Sequence, residues 1–169
     1  EVNKLRVALP NCDITFEIEA TADALAIPQE GLVQKFFKIG EHELCEPDYR
    51  FIVELAKHSG WEEEKLLDHV VRHWTEDSPD YESIQDGRFS KIYISAIPLT
   101  GEPLKHLEGL TQLTQLYLSN SQLTDVSALA GLTQLTDLSL WDNQLTDVSA
   151  LAGLTQLTQL YLSVNQLTD

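Results

Sequence analysis

Residues 123–144 (LTDVSALAGLTQLTDLSLWDNQ) and 145–166 (LTDVSALAGLTQLTQLYLSVNQ) are consecutive copies of one 22-residue block, identical at 18 positions. No other feature limits the fold as tightly. A fixed period of this length means that one small structural unit is laid down repeatedly, and so small a unit buries its apolar side chains only against its neighbours. The period runs back through LEGLTQLTQLYLSNSQ, residues 107–122. A degenerate copy, FSKIYISAIPLTGEPLKHLEGL at 89–110, keeps the register if two extra residues are allowed near Gly101 and Glu102.

Each block carries apolar residues and one amide at fixed places: Leu135, Leu138, Leu140, Asn143 and Leu145, then Leu157, Leu160, Leu162, Asn165 and Leu167. The Leu-x-Leu centre has the period of two expected of a short strand, with its leucines inward and the intervening residues outward. The amide that follows suits a turn, because a short side chain there hydrogen-bonds backbone groups that the bending chain leaves unpaired. Ser121 stands at that place in the earlier copy and should fill it less well. In TDVSALAGL, Asp and Ser are placed to cap a tight turn or 3-10 segment. Val126, Leu129 and Leu132 then close the core from behind.

This pattern, L-x-x-L-x-L-x-x-N-x-L, resembles the leucine-rich repeat family in its short bacterial, internalin-like form, over roughly residues 89–169. The resemblance implies a solenoid whose strands line a concave face. The fold class expected is α+β: a small helical N-terminal domain followed by the solenoid, with a short parallel sheet on that face. The four differences between the twin blocks are Asp137/Gln159, Ser139/Tyr161, Trp141/Ser163 and Asp142/Val164. All are expected on the concave face, joined there by Gln115, Tyr117, Ser119 and Asn120 of the preceding repeat. A scaffold that keeps its framework and varies one surface is expected to present that surface to a partner. Tolerance of change at exposed positions is the plainer explanation, but the return side is also partly exposed and did not change. Aromatic residues on a solvent-facing strand are typical interface anchors. The candidate binding residues are Tyr117, Asn120, Asp137, Ser139, Trp141, Asp142, Tyr161 and Val164.

The first ninety residues read differently. EVNKLRVALPNCDITF, residues 1–16, resembles the end of such an array, so residues 1–18 form one segment, 19–88 a helical capping domain with its linker, and 89–169 the repeats. An excerpt joining two arrays and head-to-tail stacking of open ends both account for that arrangement. DITFEIEA alternates as a strand does. Helices are expected over IPQEGLVQKFFKIG, starting near Pro28 and stopping at Gly40; over EPDYRFIVELAKHSG, with Tyr49, Ile52, Val53, Leu55 and Ala56 at helical spacing; and over WEEEKLLDHVVRHW, with a stripe of Leu66, Leu67, Val70, Val71 and Trp74. TEDSPDYESIQDG, residues 75–87, reads as a turn-rich linker. The two later helices faintly resemble half of a ribbon-helix-helix DNA-binding module. That module needs a basic strand, and the residues ahead of these helices are GEHELCEPD.

Charge narrows the partner. The chain has 27 Asp and Glu against 11 Lys and Arg, net −16. Such a surface repels phosphate backbones and anionic lipids, which disfavours nucleic acid and membrane and favours a basic protein. No apolar run approaches a membrane span and the N-terminal stretch is no signal peptide, so a cytoplasmic location is favoured. Cys12 and Cys45 make no disulfide framework, and buried thiols are the expectation. His69 and His73 have a metal-compatible spacing, but Val70 stands where a zincin has its glutamate, and both suit a helix C-terminus. His42 and Cys45 lack a second ligand pair. Neither a phosphate loop nor a nucleophile elbow is present, so neither catalysis nor a cofactor is expected.

Overall fold

The computed structural model describes residues 35–71 and 83–168 of the 169. The expected strand at 13–20, the array-ending segment, the start of the helix at Pro28, Trp74 and His73 all lie outside the described residues.

Among the described residues, two antiparallel hairpins and two helices come first. Strand β1 (Phe36–Ile39) pairs with β2 (His42–Cys45) in the register Phe36 to Cys45 and Ile39 to His42. This corrects the helix expected over residues 27–40 along its described C-terminal part. In KFFKIG, Phe37 and Ile39 alternate with Phe36 and Lys38, a strand period. Gly40, read as a helix stop, is instead the first residue of a two-residue turn, at φ +56°.

Helix α1 (Glu46–Ser59) runs as expected, with Pro47 in its first turn and Glu46 and Asp48 favouring its N-terminal dipole end. It stops at Gly60, which is left-handed and donates its amide to the Ala56 carbonyl at 2.8 Å. Its buried stripe is Phe51, Ile52, Leu55 and Ala56, with Asp48 buried beside them. Helix α2 (Glu63–Val71) buries Leu66, Leu67 and Val70. A second hairpin, β3 (Ile84–Gln85) and β4 (Arg88–Phe89), ends the stretch read as a linker. Its turn is Asp86-Gly87, with both residues at positive φ, as a tight hairpin requires. A side chain at position 87 would start 2.5 Å from the Phe36 ring and 3.2 Å from the Cys45 amide nitrogen, so only glycine fits.

The repeats follow as one four-stranded parallel sheet in sequence order: β5 (Lys91–Ser95), β6 (Gln115–Ser119), β7 (Asp137–Ser139) and β8 (Gln159–Tyr161). The register steps by 24 residues from Lys91 to Gln115 and by 22 thereafter, from Gln115 to Asp137 to Gln159. The two extra residues of the degenerate copy are taken up on the return path, where helix α3 (Glu102–His106) precedes a 3-10 turn at Leu107–Gly109. The later return paths carry only 3-10 turns, at Ser127–Leu129 and Ser149–Gly153. As the sequence implies, Asp125 accepts from the Ser127 amide and hydroxyl at 2.9 and 2.6 Å, and Asp147 does the same for Ser149 at 2.8 and 2.9 Å.

One hydrophobic cluster links the two halves. Leu66, Leu67 and Val70 of α2 pack in the same core as Ile92 and Ile94 of β5, and α1 packs on α3. A buried Asp48–Arg88 pair lies at the junction. Arg88 donates through Nε to Asp48 at 2.7 Å and through a terminal nitrogen to the Gly109 carbonyl at 3.0 Å. Asp48 also accepts the Phe89 amide at 2.5 Å. Burial pushes the Asp48 carboxyl up to about 6, against the downward pull of that amide and of Arg88.

Candidate interaction surface

The strand register sorts the outward side chains into rows across the sheet. The first is Lys91, Gln115, Asp137 and Gln159; the second is Tyr93, Tyr117, Ser139 and Tyr161. A third begins with Ser95 and Ser119, and the same 22-residue step brings Trp141 and Ser163 onto it. Behind the rows, Ile92, Ile94, Leu116, Leu118, Leu138 and Leu140 are buried. Inward and outward residues therefore alternate as the period of two demands.

Two ladders hold the strands in place. Asn143 accepts the amides of Ser121 and Leu123 at 3.1 and 3.0 Å, and its own amide group donates to the carbonyls of Leu118 and Leu140 at 2.7 and 3.0 Å. Asn165 repeats the arrangement one block later, accepting from Leu145 and donating to Leu140 and Leu162. Ser121 has a shorter reach: its hydroxyl donates to Ser119, two residues away, at 3.1 Å. The second ladder was not read from the sequence. Thr114, Thr136 and Thr158 each donate a hydroxyl to the backbone carbonyl one rung back, at 3.0, 3.1 and 3.1 Å. The recurring TQLT was the available signal.

Of the eight candidate residues, Tyr117, Asp137, Ser139 and Tyr161 lie on β6, β7 and β8, and Trp141 continues the same phase two residues past Ser139. Trp141 and Tyr161 are the most open aromatics of the sheet, 46% and 49% exposed. Ser139 is only 7% exposed, a floor between larger neighbours rather than a projecting contact. Asn120, Asp142 and Val164 correct the reading of them as strand residues. They occupy the corner just after the strand, in left-handed backbone at φ +51°, +55° and +60°, in series with Ala96 at +58°. Asn and Asp suit that corner for conformational reasons alone; valine does not.

Tyr93 is a face residue that the sequence reading did not single out. Its ring stacks on that of Tyr117, with centroids 4.8 Å apart and planes 14° apart. The degenerate copy hid it, because the match to the later tyrosines appears only once the 24-residue step is allowed. The Tyr117 hydroxyl is raised above the ordinary tyrosine range, first by burial and then by Asp137 and Tyr161.

The other expected features are quickly placed. His69 packs its ring against Trp61 at 5.1 Å. Cys45 is buried, with its sulfur 3.7 Å from the Asp86 carbonyl, and Cys12 lies outside the described residues. Among the described residues no group of three or more His, Cys, Asp or Glu side chains is gathered for a metal. No described helix is long and apolar enough to cross a membrane. An open cavity of about 400 Å³ lies off the sheet face, between the β3–β4 hairpin and the turns ahead of β6 and β7, lined by Asp86, Arg88, Thr114 and Gln134 among others.

Residues 111–167 match the family model described as leucine rich repeat. This region is a leucine-rich-repeat array. Among solved structures, an internalin (inlF) from Listeria monocytogenes is 25% identical at a TM-score of 0.44, over 73% of this chain and 31% of its own. Internalin C2 from the same organism is 26% identical at 0.43, over 73% and 57%. The leucine-rich-repeat ectodomain of the receptor kinase SOBIR1 from Arabidopsis thaliana is 21% identical at 0.51, over 72% and 68%, a likeness of fold. The chain thus spans less than two thirds of either internalin. No curated protein matches. Leucine-rich repeats generally serve as protein-interaction modules, and solenoids of this kind use extended concave surfaces for that purpose.

Proposed function

We propose that this chain is a non-catalytic interaction module that holds a basic partner protein on the concave strand face of its leucine-rich repeats. The observation that carries the reading is where the twin repeats differ. Asp137/Gln159, Ser139/Tyr161 and Trp141/Ser163 fall on the outward rows, and Asp142/Val164 on the corner beside them. The asparagine and threonine ladders and the leucine core of the same blocks are unchanged. A sheet fixed by such ladders loses little entropy on binding, which favours affinity. Trp141 and Tyr161 anchor the contact, Tyr117 flanks them, and Asp137 and Asp142 supply charge. The α1–α2 region acts as the cap that covers the first repeat, a role supported by the core it shares with β5.

The test is a capture experiment with the wild-type chain and a Trp141→Ala/Tyr161→Ala variant matched for folding by circular dichroism. Loss of a partner by the equally folded variant is the expected result; equal retention overturns the reading. A second reading has its own observation. The inward Leu160 of β8 is 43% exposed where Leu116 and Leu138 are fully buried, and Val164 and Leu167 are exposed beside it. A further repeat continuing the array would cover them, and so would a second copy of the chain stacked on that edge, which is the reading of the module as an assembly segment. A third, a regulatory part of a larger protein, is compatible with either surface.

A further inference from the structure

The second row of the sheet face is an interrupted ladder of rings. Tyr93 and Tyr117 stack at 4.8 Å, the spacing of adjacent strands. The register carries the row on to Ser139 and then to Tyr161. At Ser139 the ring is missing. Tyr117 and Tyr161 therefore rise from strands roughly 9.6 Å apart, twice the ordinary strand spacing. A flat group laid over Ser139 would stack on both rings at the separation that Tyr93 and Tyr117 already keep. Ser139, nearly buried, is the floor. The Tyr161 hydroxyl donates to Gln159 at 2.9 Å, which steadies the outer wall.

Asp137 stands at the mouth of this gap, two residues before Ser139 on the same face of β7. One of its oxygens lies 2.6 Å from the Thr136 hydroxyl, competing with the Thr114 carbonyl for that group's single proton. After burial, the Asp137 charge helps to hold the Tyr117 hydroxyl above the ordinary tyrosine range. Trp141 borders the other end of the gap in the third row. Lys91, the base of the first row, stands two strands from Asp137, on the far side of Gln115.

We infer that the gap over Ser139 is a slot for an arginine side chain of a bound protein, its guanidinium laid flat between Tyr117 and Tyr161 and its fork turned to Asp137. Shape calls for a plane one ring thick, which a guanidinium provides and a lysine ammonium does not. Charge selects the guanidinium over an aromatic ring. Asp137 is the carboxylate at the slot, and residues 91–169 hold seven Asp and Glu against two Lys. Stacking on tyrosine faces and forked bonding to a carboxylate are the two interactions that distinguish arginine. The inference rests on the sheet face being the partner surface, and its test is independent of any partner.

The test titrates the full ¹⁵N-labelled chain with N-acetyl-arginine amide, N-acetyl-lysine amide and N-acetyl-tyrosine amide, following the Ser139 amide and the Trp141 indole. Two variants accompany the wild type: Ser139→Tyr, which completes the ladder and fills the slot, and Asp137→Asn, which keeps the shape and removes the charge. The arginine compound is expected to give saturable shifts at both probes, weakened about tenfold or more by S139Y and several-fold by D137N, with the lysine compound weaker throughout. Equal shifts from arginine and lysine, stronger binding of the tyrosine compound, or an arginine titration unmoved by S139Y would each overturn the slot. A silent titration beside a partner still lost by the Trp141/Tyr161 variant discards the slot and keeps the binding face. An arginine titration abolished by S139Y beside unchanged partner capture supports the slot and discards the face as the partner's site.

Discussion

Val164 sits at φ +60°, in the left-handed region where a β-branched side chain is strained. Its counterparts one and two repeats earlier are Asp142 and Asn120, residue types that tolerate this conformation. A framework residue chosen for stability would not be valine. Val164→Asn is therefore expected to raise unfolding stability by about 1 kcal/mol, read from urea denaturation at constant slope. Asp142→Val should lower it by a similar amount. The asparagine ladder gives the opposite case. Asn143 is buried and satisfies two amides and two carbonyls of neighbouring turns, so Asn143→Ala strands all of them and should cost about 3 kcal/mol. The equivalent change at the more open Asn165 should cost visibly less. Equal costs would mean that the ladder contributes through turn propensity and not through the bonds it makes.

At the scale of elements, the junction between α1 and the β3–β4 hairpin turns on Asp48 and Arg88. Burial raises the folded Asp48 carboxyl to about 6 from an ordinary value of 3.8, so the folded state holds its proton more tightly than the unfolded chain. The sign follows: the group's contribution is most favourable below about pH 4 and is lost as pH rises through 6. Asp48→Asn cannot titrate and shares every other carboxylate with the wild type. The wild type's stability relative to that variant should therefore fall by about 2 kcal/mol between pH 4 and pH 7, measured as the difference in denaturation free energy. A flat difference would show that Arg88 keeps the carboxylate ionised across the range. The sequence did not announce this pair, because its partners are 40 residues apart and only the fold joins them. The same limit separates what was legible from what was not. The repeat spacing gave the strands, the leucine core, the Asn ladder and the Asp125 and Asp147 turns, since each recurs locally at 22 residues. The helix of α1 was legible from its proline, its acidic first turn and Gly60. The β1 strand was not, because the pattern around Phe37 and Ile39 is short enough to suit either period until Gly40 is seen as a turn. Within the candidate surface, phase along the strand was readable, but the Ser139 floor and the left-handed corner depend on neighbouring rungs.

For the whole molecule, charge and apolar surface make opposite demands, and salt separates them. The chain carries a net charge of −16, and residues 91–169, whose face exposes Trp141 and Tyr161, hold seven Asp and Glu against two Lys, so a basic partner is drawn in by a field extending well beyond contact distance. Screening shortens that field from about 30 Å at 0.01 M salt to about 8 Å at 0.15 M. The association rate with a basic partner should thus fall by about tenfold or more over that range, while dissociation, governed by the stacked aromatics, changes little. Stacking of copies through Leu160 would respond in the reverse sense. Each copy carries the same negative charge, so association is opposed at low salt and eased as salt screens the repulsion, with the apolar contact itself insensitive to ionic strength. Surface plasmon resonance of the captured partner and sedimentation velocity of the chain alone, run over the same salt series, measure the two processes separately. Heterologous association that weakens with salt, in a chain whose own sedimentation is constant, would favour the concave face. Sedimentation that rises with salt and with protein concentration, with Leu160→Arg restoring the monomer, would instead favour the stacked assembly.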